Sequence, residues 1–179
     1  MKPATAAGVA SAWIDLPFRA PLAWTELLGF LVGRGAAGVE CAEGGRYLRT
    51  VSLAGRRGWI GAQPRADKPM LAVEISEGLV PVIEVLRPHL RRVFDLDAEP
   101  ALIDAQLAKD ARLRALTLTA PGLRVPGALD GFELALRAVL GQQVTVKAAT
   151  TLFGRFALAF GEIADTPHAG LKFFAPTAA

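Results

Sequence analysis

The stretch that most constrains the fold is Leu123 to Gly161, where two helical patterns flank a short polar segment. In the first pattern, Asp130 can accept hydrogen bonds from the free amides of a first helical turn, and Glu133 completes a capping box. Apolar residues then recur at helical spacing until Gly141, which can end a helix by adopting a left-handed conformation. Thr145 can cap the second helix, whose apolar residues recur in the same way. The pattern predicts two helices that pack on each other across a rigid corner.

This corner, residues 141–145, contains two adjacent glutamines, Gln142 and Gln143. Two buried helices would hold the side-chain amides of these glutamines in a fixed position, which favours contact with another molecule. Spacing alone favours the simpler interpretation, a solvated turn. Lys147 follows in the first turn of the second helix, where a cation opposes the helix dipole and needs another role, such as a phosphate contact.

The composition indicates a folded protein and says little about its function. Apolar residues make up 52% of the 179, which excludes a disordered chain and allows one domain with part of a second. A formal charge of +3 is compatible with a polyanionic partner. One cysteine, Cys41, cannot form an internal disulfide and favours a reducing compartment. His89 and His168 are too far from it and from each other in sequence to predict a metal site.

Neither the start of the chain nor its apolar runs indicate a membrane partner. Residues 1–11 are predicted to form a disordered leader, because they lack a run of large apolar residues. A membrane span needs about 20 consecutive apolar residues, and no run in the sequence approaches that length.

The order of patterns predicts an α+β fold with a boundary near residue 94. Short β-branched or aromatic runs between turn residues predict antiparallel strands at 12–18, 39–41, 47–53, 58–63 and 70–75. Helical spacing predicts helices after Pro21, over 79–94, and in short pieces at 101–107 and 111–116. Pro88 is expected to kink or break the second of these helices. We therefore predict an α+β domain over 12–94 and a helical region over 95–179.

Several motifs resemble the bacterial 3-methyladenine DNA glycosylase II family, within the helix-hairpin-helix glycosylase superfamily. They are R-V-P-G, D-x-F-E, R-A-V-L-G-Q-Q-V-T-V and K-A-A-T-x-L-x-x-R-F around the corner, and L-G-F-L and R-R-V-F-D-L-D earlier in the chain. The resemblance runs from about Ile14 to Glu162. It implies an N-terminal antiparallel sheet with helices, similar to a TATA-binding-protein repeat, followed by the start of an all-α glycosylase domain.

The resemblance also implies a function in base-excision DNA repair. Such an enzyme flips an alkylated base, such as 3-methyladenine, out of double-stranded DNA and hydrolyses its bond to the sugar. We expect no cofactor, a monomer and a location in the bacterial cytoplasm. The resemblance points to Gln143, with Gln142 beside it, as the wedge that fills the gap left by the base, although many family members have a large apolar residue there. It assigns Phe30 to the base pocket. Spacing alone is equally compatible with Phe30 as an ordinary core residue of its helix.

No catalytic residue can be assigned in this sequence. The resemblance implies that the family's phosphate-binding hairpin and catalytic aspartate lie beyond Ala179, since Leu129 stands where V-P-G-A-L would need the hairpin's second glycine. Asp130 and Glu133 are interpreted as helix caps. The chain is thus predicted to be the N-terminal part of a glycosylase, and the alternative is a noncatalytic DNA- or protein-binding module of the same fold.

Overall fold

The structure, a computed structural model, describes residues 11–176, which form a five-stranded sheet and six α-helices. The strands are β1 (Ser11–Pro17), β2 (Glu40–Glu43), β3 (Arg46–Leu53), β4 (Arg56–Pro64) and β5 (Met70–Ser76). The helices are α1 (Trp24–Arg34), α2 (Ile83–Val93), α3 (Pro100–Leu107), α4 (Ala111–Thr119), α5 (Gly131–Leu140) and α6 (Val146–Phe160). A 3-10 helix, Glu77–Val82, precedes α2. No helix within residues 11–176 is long and apolar enough to cross a bilayer.

Two predictions fall on the ends of the chain. The predicted leader lies outside the described residues except for Ser11, which begins β1. Ala179, beyond which the catalytic aspartate is predicted, also lies outside the described residues. The position of that aspartate therefore stays a prediction.

The sheet is antiparallel throughout, in the order β1-β5-β4-β3-β2. All five predicted strands form, so the α+β fold class is confirmed. The main core packs one face of the sheet against α1, α2 and the 3-10 helix, with Tyr47 and Phe94 as its largest fully buried side chains. Their rings meet edge to face, with centroids 5.7 Å apart.

The sequence predicts that Pro88 kinks or breaks the helix, but α2 continues unbroken from Ile83 to Val93, so the break does not occur. The physical reason is the burial of Leu86, Leu90 and Val93 on one face of α2, which outweighs the single backbone hydrogen bond that proline removes. Pro88 itself lies on the exposed side of the helix.

The two predicted caps of the central helices are confirmed. Asp130 Oδ1 accepts a hydrogen bond from the Glu133 amide at 2.8 Å, and Thr145 Oγ1 accepts one from the Ala148 amide at 3.2 Å. The helices contact each other through the apolar cluster around the buried Phe153 of α6. Packing is incomplete, however, because Val139 on α5 is 69% exposed.

The corner is built differently from the prediction. Gly141 keeps a right-handed backbone, with φ of −85°, and the left-handed residue is Gln143, with φ of 57°. The Gly141 amide still donates to the Arg137 carbonyl, so helical hydrogen bonding extends to Gly141. The chain therefore turns two residues later, at Gln143. A non-glycine residue therefore carries the strained conformation of the corner.

The segment after α6, residues 161–176, returns to the sheet. The amides of Lys172 and Phe173 both donate to the Gly38 carbonyl, at 2.6 and 3.0 Å, beside the start of β2. Leu171 is buried with Leu48 and Trp59 on the sheet face away from the main core. Both faces of the sheet are therefore covered around β3.

Candidate nucleic-acid interface

Phe30 borders an open cleft. On α1, Leu27 and Leu31 face the core, and Phe30 lies on the neighbouring face, where its side chain is 45% exposed. Its exposure contradicts the alternative that Phe30 is helix core. The cleft has a volume of about 320 Å³ and lies between α1, α5 and the segment 126–129. The Arg34 guanidinium carbon lies 4.3 Å from the Phe30 ring centroid, within cation–π range.

The floor of this cleft contains a buried group of charges contributed by the sheet and α5. Glu40 on β2 stands directly opposite Arg49 on β3 in the sheet register. Alternation along β3 places Tyr47 on the same face, and its hydroxyl donates to Glu40. Arg49 also donates to Glu133 of α5. The three charged residues are at most 8% exposed, so this ionic contact fixes α5 on the sheet.

Glu133 is not the cap that its sequence position suggested. Its amide is capped by Asp130, but its carboxylate points into the cleft floor and pairs with Arg49 and Arg137. Two guanidinium groups attract a carboxylate more strongly than the backbone amide of Asp130 could, which explains the difference. The reciprocal hydrogen bond of a capping box is replaced by a tertiary ion pair.

The Glu133 carboxylate of the cleft floor is held in its ionised form. Burial raises the pKa of the Glu133 carboxyl, but the attraction of Arg49 and Arg137 is larger in sum and holds that pKa below its ordinary value. Burial, with Glu40 beside it, raises the pKa of the Tyr47 hydroxyl well above its usual range. An ion-paired carboxylate with a lowered pKa is a poor proton acceptor, so Glu133 is unsuited to act as a general base.

The corner lies at the end of a second groove that adjoins the cleft. This groove has a volume of about 220 Å³, and Arg34 and Arg137 line both it and the cleft. Gln142 and Gln143 are exposed beyond it. The side-chain amide of Gln142 donates from Nε2 to the Ala138 carbonyl at 3.1 Å. Gly141 and Val144, which flank the two glutamines in sequence, line this groove, and the groove shares Arg34 and Arg137 with the Phe30 cleft.

Lys147 is also exposed, in the first turn of α6 next to the corner. Thr145 caps this turn, and no acidic side chain among residues 11–176 forms an ion pair with Lys147 within 4.0 Å. Its ammonium group can therefore reach a ligand at the corner. The roles of Phe30, the two glutamines and Lys147 stay predictions.

The V-P-G-A-L segment packs against α2. The Gly127 amide donates to the Arg92 carbonyl at 3.1 Å, and a β-carbon at Gly127 would lie 2.8 Å from that oxygen. The His89 ring also forms a hydrogen bond with the Leu129 carbonyl, and Arg92 Nε donates to the Ala128 carbonyl. A glycine is required here for a close approach between two backbones, which gives Gly127 a structural role.

Arg137 and Arg49 are the site residues that the sequence interpretation missed. The sequence alone predicts Arg137 to be a surface charge, yet its side chain is 24% exposed and pairs with Glu40 and Glu133. The spacing of Glu133 and Arg137, four residues apart on one helix, is a recognisable ion-pair signal. The sequence around Arg49 also indicates a buried ion pair, because an arginine among apolar residues in a strand needs a buried partner.

Comparisons with known proteins agree with the fold and the sequence motifs. The profile of the AlkA N-terminal domain family matches residues 13–130. DNA-3-methyladenine glycosylase 2 of Escherichia coli is 35% identical over 150 residues, which are 84% of this chain and 51% of that protein. The probable bifunctional transcriptional activator/DNA repair enzyme AlkA of Mycobacterium tuberculosis is 36% identical over 166 residues, 92% of this chain and 33% of that protein. The chain thus spans about a third to a half of the length of these relatives.

Solved structures show the same architecture. A 3-methyladenine DNA-glycosylase from Archaeoglobus fulgidus superimposes with a TM-score of 0.77 at 23% identity, over 92% of this chain and 56% of that one. An 8-oxoguanine glycosylase/lyase from Clostridium acetobutylicum, in complex with double-stranded DNA, gives a TM-score of 0.58 at 15% identity, over 84% and 48%. The profile match covers more than half of the sequence, and this chain belongs to the AlkA N-terminal domain family.

Proposed function

We propose that the complete protein carrying this chain is a DNA repair glycosylase that removes alkylated bases such as 3-methyladenine. The observation that carries the proposal is that the Phe30 cleft adjoins the groove beside the glutamine corner, since Arg34 and Arg137 line both. The names of the sequence relatives, DNA-3-methyladenine glycosylase 2 and DNA repair enzyme AlkA, support the same reaction class. The proposed partner is double-stranded DNA with alkylated bases, bound by a monomer without a cofactor in the bacterial cytoplasm.

Each predicted residue has a physical role in this reaction. A base extruded from the duplex needs a pocket, and the exposed ring of Phe30 offers a π-face on which an electron-poor base can stack. Gln143, assisted by Gln142, would fill the gap in the duplex and offer its amide to the base left unpaired. Lys147 would contact a phosphate at the same corner, where its charge favours a polyanion.

The catalytic carboxylate is proposed to lie beyond Ala179, outside this chain. Both carboxylates of the cleft floor, Glu40 and Glu133, are committed to Arg49 and Arg137. Neither is free to stabilise positive charge on a sugar or to activate water. The role of this chain would then be to bind DNA and receive the flipped base, while the remainder of the protein supplies the chemistry.

We therefore expect the chain alone to be inactive. The purified chain should release no 3-methyladenine from methylated duplex DNA, because Glu40 and Glu133, the carboxylates described in the cleft, are both held in ion pairs. The measurement is chromatography of the released base, with the complete protein as a positive control. Release by the chain alone at a rate near that of the complete protein would contradict the expectation.

The alternative is a noncatalytic DNA- or protein-binding module, and the neutralised cleft carboxylates are the observation in its favour. The same assay separates the two functions. Base release by the complete protein supports the glycosylase, whereas a complete protein that binds the methylated duplex and releases nothing supports the module.

Binding of the chain to DNA should depend only modestly on salt. Arg57 and Arg91 are paired with Glu162 and Asp97, so we do not count them among the proposed phosphate contacts. With about two phosphate contacts the log–log slope is about −1.8, so affinity should fall about tenfold between 50 and 200 mM salt. Fluorescence anisotropy titrations with a labelled duplex measure the slope. A slope steeper than about −4 would reveal an additional basic surface.

A further inference from the structure

Arg137 contacts four of the elements that surround the cleft and the corner. Its Nε donates to Glu133 Oε1 on the same helix at 2.8 Å, and its Nη2 donates to Glu40 on β2. Its Nη1 donates to the backbone carbonyl of Arg34. On the remaining side, its guanidinium carbon lies 4.1 Å from the centroid of the Phe153 ring of α6. One side chain therefore joins α1, β2, α5 and α6.

One of these contacts ties the helix of the proposed base pocket to α5, the helix that leads into the corner with the proposed wedge. Arg34 is the last residue of α1, the helix that carries Phe30, and its carbonyl has no partner within its own helix. The guanidinium satisfies this carbonyl at the negative end of the helix dipole. Through its own carbonyl, Arg137 accepts a hydrogen bond of 2.9 Å from the Gly141 amide at the start of the corner. Arg137 thus links the end of the Phe30 helix to α5, one helical turn before the corner that holds Gln143.

We infer that Arg137 is a positioning residue that fixes the distance between the Phe30 cleft and the glutamine corner. The inference rests on the proposed function. A flipped base enters the cleft while the corner fills the gap it leaves, so both must meet one DNA duplex at once. A misplacement of about 1 Å can lower the rate of such a reaction by about a hundredfold. The planar guanidinium holds several partners at set angles, which a lysine ammonium group cannot do.

A purely structural role for Arg137 makes a different prediction. If Arg137 only stabilised the fold, its loss would weaken all DNA binding together. If it sets the distance between two subsites, a ligand that uses only one of them should be unaffected. A duplex with an abasic site is such a ligand, because its gap is already present and no base has to enter the cleft.

The test uses the complete protein with Arg137→Met, Arg137→Lys and the matched control Arg155→Met. Arg155 is an exposed arginine on α6, outside the cleft and the corner. Single-turnover excision is measured on a duplex with one methylated base, and the dissociation constant is measured on an abasic duplex of the same sequence. Thermal melting of each variant shows whether it is folded.

We expect Arg137→Met to lower the excision rate at least thirtyfold and to change the dissociation constant for the abasic duplex less than threefold. Arg137→Lys should fall between Arg137→Met and the unsubstituted protein, and Arg155→Met should stay within twofold of it. Excision within threefold in Arg137→Met would overturn the inference. Equal losses of excision and abasic binding in both Arg137 variants would also overturn it. No excision by the unsubstituted protein would instead overturn the proposed function, and this inference with it.

Discussion

Replacing Arg49 by methionine should destabilise the chain by about 3–5 kcal/mol, because two buried carboxylates lose their shared partner. Glu40 and Glu133 are both within reach of its guanidinium and are almost fully buried. Urea unfolding monitored by circular dichroism measures the loss. The control is Arg57→Met, which removes an arginine from an ion pair with Glu162 at the surface. It should cost less than about 1 kcal/mol, and equal losses in the two variants would contradict the role of burial.

The effect of Arg49→Met should also depend on pH. The lowered pKa of Glu133 means that its ion pairs stabilise the folded chain fully above its unfolded value, near 4.5. This stability is lost as the pH falls through the folded pKa, which lies lower still. The difference in unfolding free energy between the unsubstituted chain and Arg49→Met should therefore be largest near neutral pH and shrink below about pH 4. If this difference in unfolding free energy did not change with pH, the stability lost in Arg49→Met would come from packing and not from the ion pairs.

In the complete protein, Gln143→Ala should lower single-turnover excision tenfold or more without lowering the melting temperature. A tenfold loss corresponds to about 1.4 kcal/mol, part of the few kcal/mol that extrusion of a base costs. Val139→Ala is the control, since it shortens another exposed side chain close to the corner on α5. Unchanged excision in Gln143→Ala would return Gln143 to the simpler interpretation of a solvated turn residue.

The backbone of Gln143 offers a second control. Its φ of 57° is costly for any residue with a β-carbon, by roughly 1 kcal/mol, and glycine would remove that cost. Gln143→Gly should therefore melt at a higher temperature than Gln143→Ala, although both lack the amide. If both variants lose excision to the same degree, the loss belongs to the side chain and not to the conformation of the corner.

Local patterns were sufficient to predict the elements of this fold. The β-branched and aromatic run of β3 and the capping chemistry of Asp130 and Thr145 act within a few residues, and each is found as expected. The break predicted at Pro88 failed because the core beneath α2 is assembled from distant segments. Its packing energy cannot be read from the helix alone.

The candidate site was less predictable because it depends on contacts between distant residues. Arg49 and Glu133 are 84 positions apart, and no local pattern pairs them. Helical spacing puts Phe30 beside Leu31, but only the packing of α1 on the distant strands decides which of the two is buried. The spacing of the corner predicted that a turn would occur there, although it assigned the left-handed conformation to Gly141 and not to Gln143.

The return of residues 161–176 to the sheet has a consequence for synthesis on the ribosome. Thr50 Oγ1 donates to the Phe173 carbonyl across 123 positions, next to the contacts made by Gly38. Strands β1 to β5 leave the ribosome well before this segment does, so the backbone edge at Gly38, next to β2, remains uncovered while α3 to α6 are still being translated. An uncovered edge is where nascent chains pair wrongly with one another. A pause in translation after Gly161 would therefore lengthen the interval in which this protein is most exposed to aggregation.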